Sequence, residues 1–173
     1  DTHAASLIAH ALISTRLDYA NSVLYGATGY TVLKLQRVQN ALARIVLNSN
    51  SLSRSDTLLQ QLHWLPVHSR IRFKLASITY KALSTSSPQY LSSLLNLYTP
   101  SRTLRSSDLQ LLDTVASKTI FGSRSFRSAA PTVWNSIPLQ VRTESTMASF
   151  KTNLKLTTSA ILLSNCYPSV PQI

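Results

Sequence analysis

Acidic residues are scarce in this sequence. Six Asp and Glu stand against 17 Lys and Arg, which gives a formal net charge of +11. Total charge is nonetheless low, at 13% of residues, because the acids are missing rather than because the bases are abundant. Such an imbalance favours a partner that carries phosphates or anionic lipid, although a solvated basic surface accounts for it equally well.

Cysteine and glycine are scarce as well. Cys166 is the only cysteine, so no disulfide framework and no cysteine-based zinc site can form within the chain, and a reducing compartment fits. There are three glycines, and Gly122 alone cannot form a loop that cradles phosphates. The many serines include none in a Gly-x-Ser-x-Gly elbow, the usual setting of a hydrolase nucleophile.

Long apolar runs are also missing. The run at residues 160–163 is far too short to span a bilayer. Near the other end, residues 7–13 are broken by His10 and follow an acidic residue instead of a basic cluster, which excludes a typical signal peptide. We therefore expect a soluble, intracellular chain with no membrane partner. Because it starts at Asp1 without Met, inside a helical pattern, we also expect a piece of a longer protein.

The carboxylates are too scattered for metal-dependent phosphoryl transfer, which needs several of them within a few ångströms. They are Asp1, Asp18, Asp56, Asp108, Asp113 and Glu144. The closest pair, Asp108 and Asp113, is typical of turns. His63 and His68 flank a proline without an acid or cysteine nearby, which favours packing or surface histidines over metal ligands. The sequence thus predicts no catalytic residue, no metal site and no cofactor.

Apolar spacing predicts a mainly α fold. At 173 residues and 44% hydrophobic content, the chain is long enough for one domain with a core. The central helix is predicted at residues 70–83, where one apolar stripe runs from Ile71 to Ala82 and a second from Phe73 to Leu83. It follows the segment His63-Trp64-Leu65-Pro66-Val67-His68, which we interpret as a hinge held by Trp64. The other predicted helices are residues 2–17, 31–47, 55–62, 88–95, 131–136 and 147–156.

The second half of the chain has a different pattern. Two β-compatible runs, residues 109–115 and 119–126, predict a small β-hairpin. We expect residues 1–100 to form a helical region, and residues 101–156 to form the hairpin and short helices packed on it. Residues 157–173 are predicted to be a divergent, disordered tail.

Basic residues recur on the predicted helix faces. In residues 31–47 they turn away from an apolar face of Leu35, Val38, Leu42 and Ile45, and in the central helix they form a strip with Ser77. Arginines of the second half can bind phosphates bidentately, and Phe121, Phe126 and Trp134 lie near them for base stacking or, more commonly, core packing. The predicted nucleic-acid-binding residues are Lys34, Arg37, Arg44, Arg70, Lys74, Lys81, Arg102, Arg105, Arg124 and Arg127. Packing of the two helices is predicted to join their basic rows into one groove.

Several motifs occur in a characteristic order. They are Ser14-Thr15-Arg16-Leu17-Asp18-Tyr19, Leu24-Tyr25-Gly26, Leu35-Gln36-Arg37-Val38-Gln39-Asn40-Ala41, Leu62-His63-Trp64-Leu65-Pro66-Val67, Arg70-Ile71, Tyr80-Lys81-Ala82-Leu83, Tyr98-Thr99-Pro100-Ser101-Arg102, Leu104-Arg105-Ser106-Ser107-Asp108, Ala129-Ala130-Pro131 and Trp134-Asn135-Ser136. Together they resemble the region downstream of the polymerase active site in LINE-type, non-LTR retrotransposon reverse transcriptases of the Jockey and chicken-repeat branch. The chain departs from that pattern at Ala20, where the branch usually has Cys, and from Leu156 onward.

The resemblance implies a helical, thumb-like region at residues 1–100 and a C-terminal extension. It implies partners, namely RNA, DNA or an RNA–DNA hybrid and the upstream polymerase domain, and no small-molecule substrate. The family's Asp-Asp polymerase box and endonuclease lie upstream, so no catalytic residue is carried over and the fragment is not expected to be an enzyme. The parent polymerase would need Mg²⁺, and an active element would place it in the nucleus. Two alternatives remain open, an inert remnant of a decayed element and a host protein–protein interaction module.

Overall fold

The computed structural model describes the backbone of residues 2–50, 52–100 and 109–164, and these segments are mainly helical, as the sequence predicts. The helices are α1 (Thr2–Ala9), α2 (Thr15–Asp18), α3 (Gly29–Leu47), α4 (Ser55–Gln61), α5 (Val67–Thr85), α6 (Gln89–Ser92), α7 (Phe126–Asn135), α8 (Leu139–Arg142) and α9 (Met147–Ser164). A π-helical turn, His10–Ser14, joins α1 to α2, and 3-10 turns lie at Asn21–Leu24 and Gly122–Arg124.

Helix α5 is the centre of the structure, which confirms the predicted central helix and lengthens it to Val67–Thr85. Pro66 precedes its first turn, where a fixed backbone φ and a missing N–H cost nothing. The helix ends where Ser86 adopts a left-handed conformation, with φ of 52°. Helices α3, α7 and α9 and the turn Asn21–Leu24 all pack on α5, so both of its predicted apolar stripes contribute to buried contacts.

The main core lies between α5, α7 and α9. Phe150 of α9 is fully buried and stacks on Tyr80 of α5, with ring centroids 4.3 Å apart. Trp134 of α7 stacks on the Phe150 ring, with centroids 6.0 Å apart. The Tyr80 hydroxyl, which needs a partner inside the protein, donates to the backbone oxygen of Glu144 at 2.7 Å. Helices from both halves of the chain therefore share one core.

The predicted β-hairpin is wrong. Leu112 forms an isolated antiparallel bridge with Leu97, while residues 119–126 form a turn, the 3-10 turn and the first residue of α7. Leu112 is buried, and the Asn135 side chain bonds both of its backbone groups, accepting from the N–H and donating to the oxygen at 2.9 Å each. Because Asn135 of α7 already bonds the N–H and the oxygen of Leu112, these backbone groups are satisfied without a strand at residues 119–126.

The predicted core face of α3 is only partly right, because Leu42 is buried and Leu35 half-buried. Val38 and Ile45 are 48% and 73% exposed, whereas the buried residues of this helix are Gln36, Gln39, Leu42, Ala43 and Val46. The true buried face is rotated from the predicted one by roughly a quarter turn at 100° per residue. Apolar periodicity missed it because two of the residues on that face are amides.

Those two amides join α3 to the hinge before α5. Gln39 donates to the backbone oxygen of Leu65 at 2.8 Å, and Gln36 accepts from the backbone N–H of Val67 at 2.9 Å. The Gln36 amide also donates to the Gln39 side-chain oxygen at 3.0 Å. Buried amides are tolerated when they are bonded in this way. The hinge is thereby fixed to α3 through its own backbone.

Trp64, on the same hinge, packs half-buried against Leu42 and Val46 on one side and Leu58 and Leu59 on the other. Trp64→Ala should lower the free energy of unfolding by about 3 kcal/mol, because the indole fills the space between α3 and α4. Urea denaturation measures the change. A midpoint equal to that of the unmodified chain would show that the indole contributes no packing energy.

The last helix is longer than predicted. Phe150 and Leu154 are buried, and the helix continues to Ser164 where the sequence predicts a disordered tail from residue 157. The hydroxyls of Thr157 and Thr158 donate to backbone oxygens four residues earlier, at 2.8 and 2.7 Å, which satisfies them within the helix. The rest of the predicted tail, residues 165–173, lies outside the described residues.

Candidate nucleic-acid interface

Five of the predicted binding residues present their charge to solvent. They are Lys34, Arg37, Lys74, Lys81 and Arg127. The ammonium of Lys34 lies 4.4 Å from the centroid of the Tyr30 ring, which is itself 66% exposed, so this cation is held over an aromatic face. In the part of the chain that the structure describes, none of the five forms an ion pair with a carboxylate. Their charge is therefore available to an anionic partner.

Arg70, by contrast, is used inside the fold. Its side chain is 12% exposed, it forms a 2.8 Å ion pair with Asp18, and its Nε donates to the backbone oxygen of Leu65 at 2.8 Å. Ser77, from the same predicted strip, is buried and donates to the backbone oxygen of Phe73. Of the predicted strip on α5, only Lys74 and Lys81 therefore face solvent.

Arg44 and Arg124 are also held by neighbouring segments. Arg44 donates to the Ser55 hydroxyl at 3.0 Å, which ties α3 to the first residue of α4. The aliphatic part of Arg124 lies on Gly26, with its Cγ 2.9 Å from the position that a Cβ would occupy there. Gly26 has a φ of +69°, so a side chain at this position would be strained as well as too close. We infer that both arginines mainly stabilise contacts between segments of the fold.

Helical geometry places the exposed cations of α3 and α5 relative to the contact between the two helices. Helices α3 and α5 meet where Gln36 accepts from Val67, and at 100° per residue Lys34 is roughly 160° around the axis from Gln36. Along α5, the rise of 1.5 Å per residue places Lys74 roughly 10 Å and Lys81 roughly 21 Å beyond Val67. Lys81 is thus well beyond the point where the two helices meet, and the groove predicted to join the two basic rows stays a prediction.

The later basic group is only partly described. Arg102 and Arg105 lie outside the described residues, whereas Lys118 and Arg127 are exposed. The sequence contains no acid between Asp113 and Glu144, so no carboxylate from this stretch opposes them. The stretch remains a candidate for anion contacts.

The three aromatic residues near this group have different positions. Trp134 is 3% exposed, with its indole N–H donating to the backbone oxygen of Gln110 at 3.0 Å, and Phe126 packs on the main core. Phe121 is 84% exposed, although the sequence favoured core packing. The local sequence held a signal for this, because Phe121 has only Ser, Lys and Arg residues three and four positions away on either side.

A surface cleft of about 320 Å³ lies between α5, α7 and α9. Phe73, Val133 and Leu154 supply apolar lining, and at its edge Arg72 donates to the Ser136 hydroxyl at 2.7 Å. Partial burial and the neighbouring Arg72 cation lower the pKa of His68, which favours its uncharged form. The sequence analysis did not identify this cleft.

No family model matches the chain, and no curated protein or solved structure matches it. Within the described segments, no three His, Cys, Asp or Glu residues come together in a way that could hold a metal ion. Every helix of those segments falls short of the length or apolar content that a bilayer crossing requires. The described surface offers exposed cations and several exposed aromatic side chains, of which Phe121 and Tyr19, both 84% exposed, are the most accessible to solvent.

Proposed function

We propose that the chain is a noncatalytic part of the RNA-directed DNA polymerase of a non-LTR retrotransposon. In this proposal the described helices form the thumb and the start of the C-terminal extension, and they grip template and primer through phosphate contacts. The observation that carries the grip is the set of exposed cations without carboxylate partners on α3 and α5, in a chain with 17 bases and six acids.

Contacts between the motifs support the family part of the proposal. Asp18 of the first motif pairs with Arg70, and Gln36 and Gln39 of the third bond the backbone around Leu65 in the Trp-Leu-Pro segment. Residues of different motifs are thus hydrogen-bonded to one another, across up to 52 positions of sequence. In this proposal, such contacts would be a physical reason for the motifs to occur together.

The expected mode of binding is electrostatic and independent of sequence. Lysine and arginine side chains on the surface neutralise phosphates and release condensed counterions, and such contacts position a nucleic acid without reading its bases. Lys74 and Lys81, roughly 10 Å apart along α5, suit a nucleic acid, whose phosphates follow each other every few ångströms along the axis. Chemistry would belong to the upstream polymerase domain, which would hold the Mg²⁺.

Salt-dependent binding tests this proposal. The purified chain should bind a fluorescein-labelled RNA–DNA hybrid, with the logarithm of the association constant falling linearly with the logarithm of KCl concentration between about 50 and 200 mM. Fluorescence anisotropy at each salt concentration gives the slope, and hybrids of two unrelated sequences should give the same value. Absence of binding at the lowest salt concentration would reject the proposal and favour an inert remnant or a protein-interaction module.

A further inference from the structure

The loop between residues 115 and 126 presents two large apolar side chains to water. Ile120 and Phe121 are 78% and 84% exposed, and they are adjacent in sequence. The residues three or four positions before and after Phe121, which include Ser117, Lys118 and Arg124, are polar or charged. We call this feature the Ile120–Phe121 tip.

Hydrogen bonds within the loop fix the tip. The Thr119 hydroxyl accepts from the Gly122 N–H at 3.0 Å, the Ser123 hydroxyl donates to the backbone oxygen of Ile120 at 2.7 Å, and the Arg124 N–H donates to that of Phe121 at 3.1 Å. A Cβ at Gly122 would meet the hydroxyl oxygens of Ser117 and Thr119, so a side chain there would displace both groups. A contact surface that is already ordered loses little conformational entropy when a partner binds.

The loop is also anchored to the rest of the fold. Its last residues lead into α7, where Phe126 packs on the main core and Ser128 donates to the backbone oxygen of Val115 at 3.3 Å. The stem of Arg124 rests on Gly26, beyond the 3-10 turn Asn21–Leu24. The tip is therefore held in one position relative to α5 and α7.

Positive charge accompanies the tip. Lys118 and Arg127 are exposed, and the thirty positions from 114 to 143 include no Asp or Glu. An exposed aromatic ring beside cations, without acids, is the arrangement with which proteins hold single-stranded nucleic acids, since bases stack on the ring while cations contact the backbone.

We propose that the Ile120–Phe121 tip is a stacking platform for an unpaired nucleobase, with Lys118 and Arg127 contacting the adjoining phosphates. This inference rests on the proposed function and adds to it a preference for single-stranded segments. A lipid surface fits the tip less well. Even a myristoyl chain gives only marginal membrane binding, and the two side chains offer fewer carbons than that.

Two fluorescein-labelled strands of about 15 nucleotides separate base stacking from phosphate contact: oligo(dT) and an abasic strand of equal length. Phe121→Ala should weaken binding of oligo(dT) about ten-fold and leave binding of the abasic strand unchanged. Phe121→Trp should restore the affinity, and the fluorescence that it adds to that of Trp64 and Trp134 should be quenched by oligo(dT) only. Tyr90→Ala is the matched control, because Tyr90 is 70% exposed and lies on α6, outside the tip.

Each other outcome is decisive. If the unmodified chain binds oligo(dT) and the abasic strand equally and Phe121→Ala changes neither, the platform is rejected while salt-dependent binding of the hybrid keeps the proposed function. If the chain binds neither strand nor the hybrid, both proposals fall. Loss of binding to phosphatidylserine vesicles by Phe121→Ala, with unchanged oligo(dT) affinity, would make the tip a membrane contact and overturn the inference.

Discussion

Phe150→Ala should lower the free energy of unfolding by about 3 to 5 kcal/mol, the largest effect that we expect from a single truncation. The ring is fully buried and stacks on both Tyr80 and Trp134, so its removal leaves a cavity between α5, α7 and α9 and ends two aromatic contacts. Urea denaturation followed by circular dichroism measures the change.

Phe121→Ala is the matched control for that experiment, because it removes the same atoms from a ring that is 84% exposed. Its free energy of unfolding should stay within about 0.5 kcal/mol of the unmodified value. Equal losses in the two variants would contradict the packing of α9 on α5 and α7.

Four exposed cations replaced together by glutamine should remove most of the grip on a hybrid. The variant carries Lys34→Gln, Arg37→Gln, Lys74→Gln and Lys81→Gln. If each contacts one phosphate, the slope of log affinity against log salt should become shallower by roughly 3, at 0.7 to 0.9 per contact. The fold should be unchanged, because all four side chains are exposed.

Two controls separate local contacts from net charge and from structure. Replacing the exposed Arg16, Arg54 and Lys151 with Gln removes three charges elsewhere on the surface. This variant should reduce the slope of log affinity against log salt by less per charge than the four-cation variant. Arg70→Gln should lower stability, because the Asp18 carboxylate loses its partner, and should leave the slope nearly unchanged. If the four-cation variant keeps the original affinity and slope, the grip lies elsewhere, with Arg127 and its neighbours the next candidates.

The helices could be predicted from the sequence because their apolar residues recur every three or four positions. Helix α5 shows this best, since its two stripes meet partners on two sides. The buried face of α3 could not be predicted, because hydropathy counts Gln36 and Gln39 as surface residues. Their partners, at Val67 and Leu65, lie 31 and 26 positions later in the chain.

Contacts between distant parts of the sequence also decide which of the predicted binding residues are exposed. A helical projection shows which side of a helix carries charge, but not which cations are already bonded. Arg70 meets an acid 52 positions away and Arg44 meets a hydroxyl 11 positions away, and each partner lies on a different helix from its arginine. The hairpin failed for a related reason, because Asn135 bonds the backbone of Leu112 from 23 positions away. Lys34, Lys74 and Lys81 are exposed, as the helical projection predicted.

The amides on the buried face of α3 have a further consequence, which concerns alignment. A face made only of leucine could slide by one helical turn against its neighbours at small cost, since one apolar contact would replace another. Gln36 and Gln39 exclude such a slide, because each would leave its acceptor or donor and remain buried without a partner, at a cost of about 1 to 3 kcal/mol per group. The pair therefore selects a single alignment between α3 and α5. The exposed cations on the two helices inherit that alignment, so the spacing between them is fixed by two uncharged side chains.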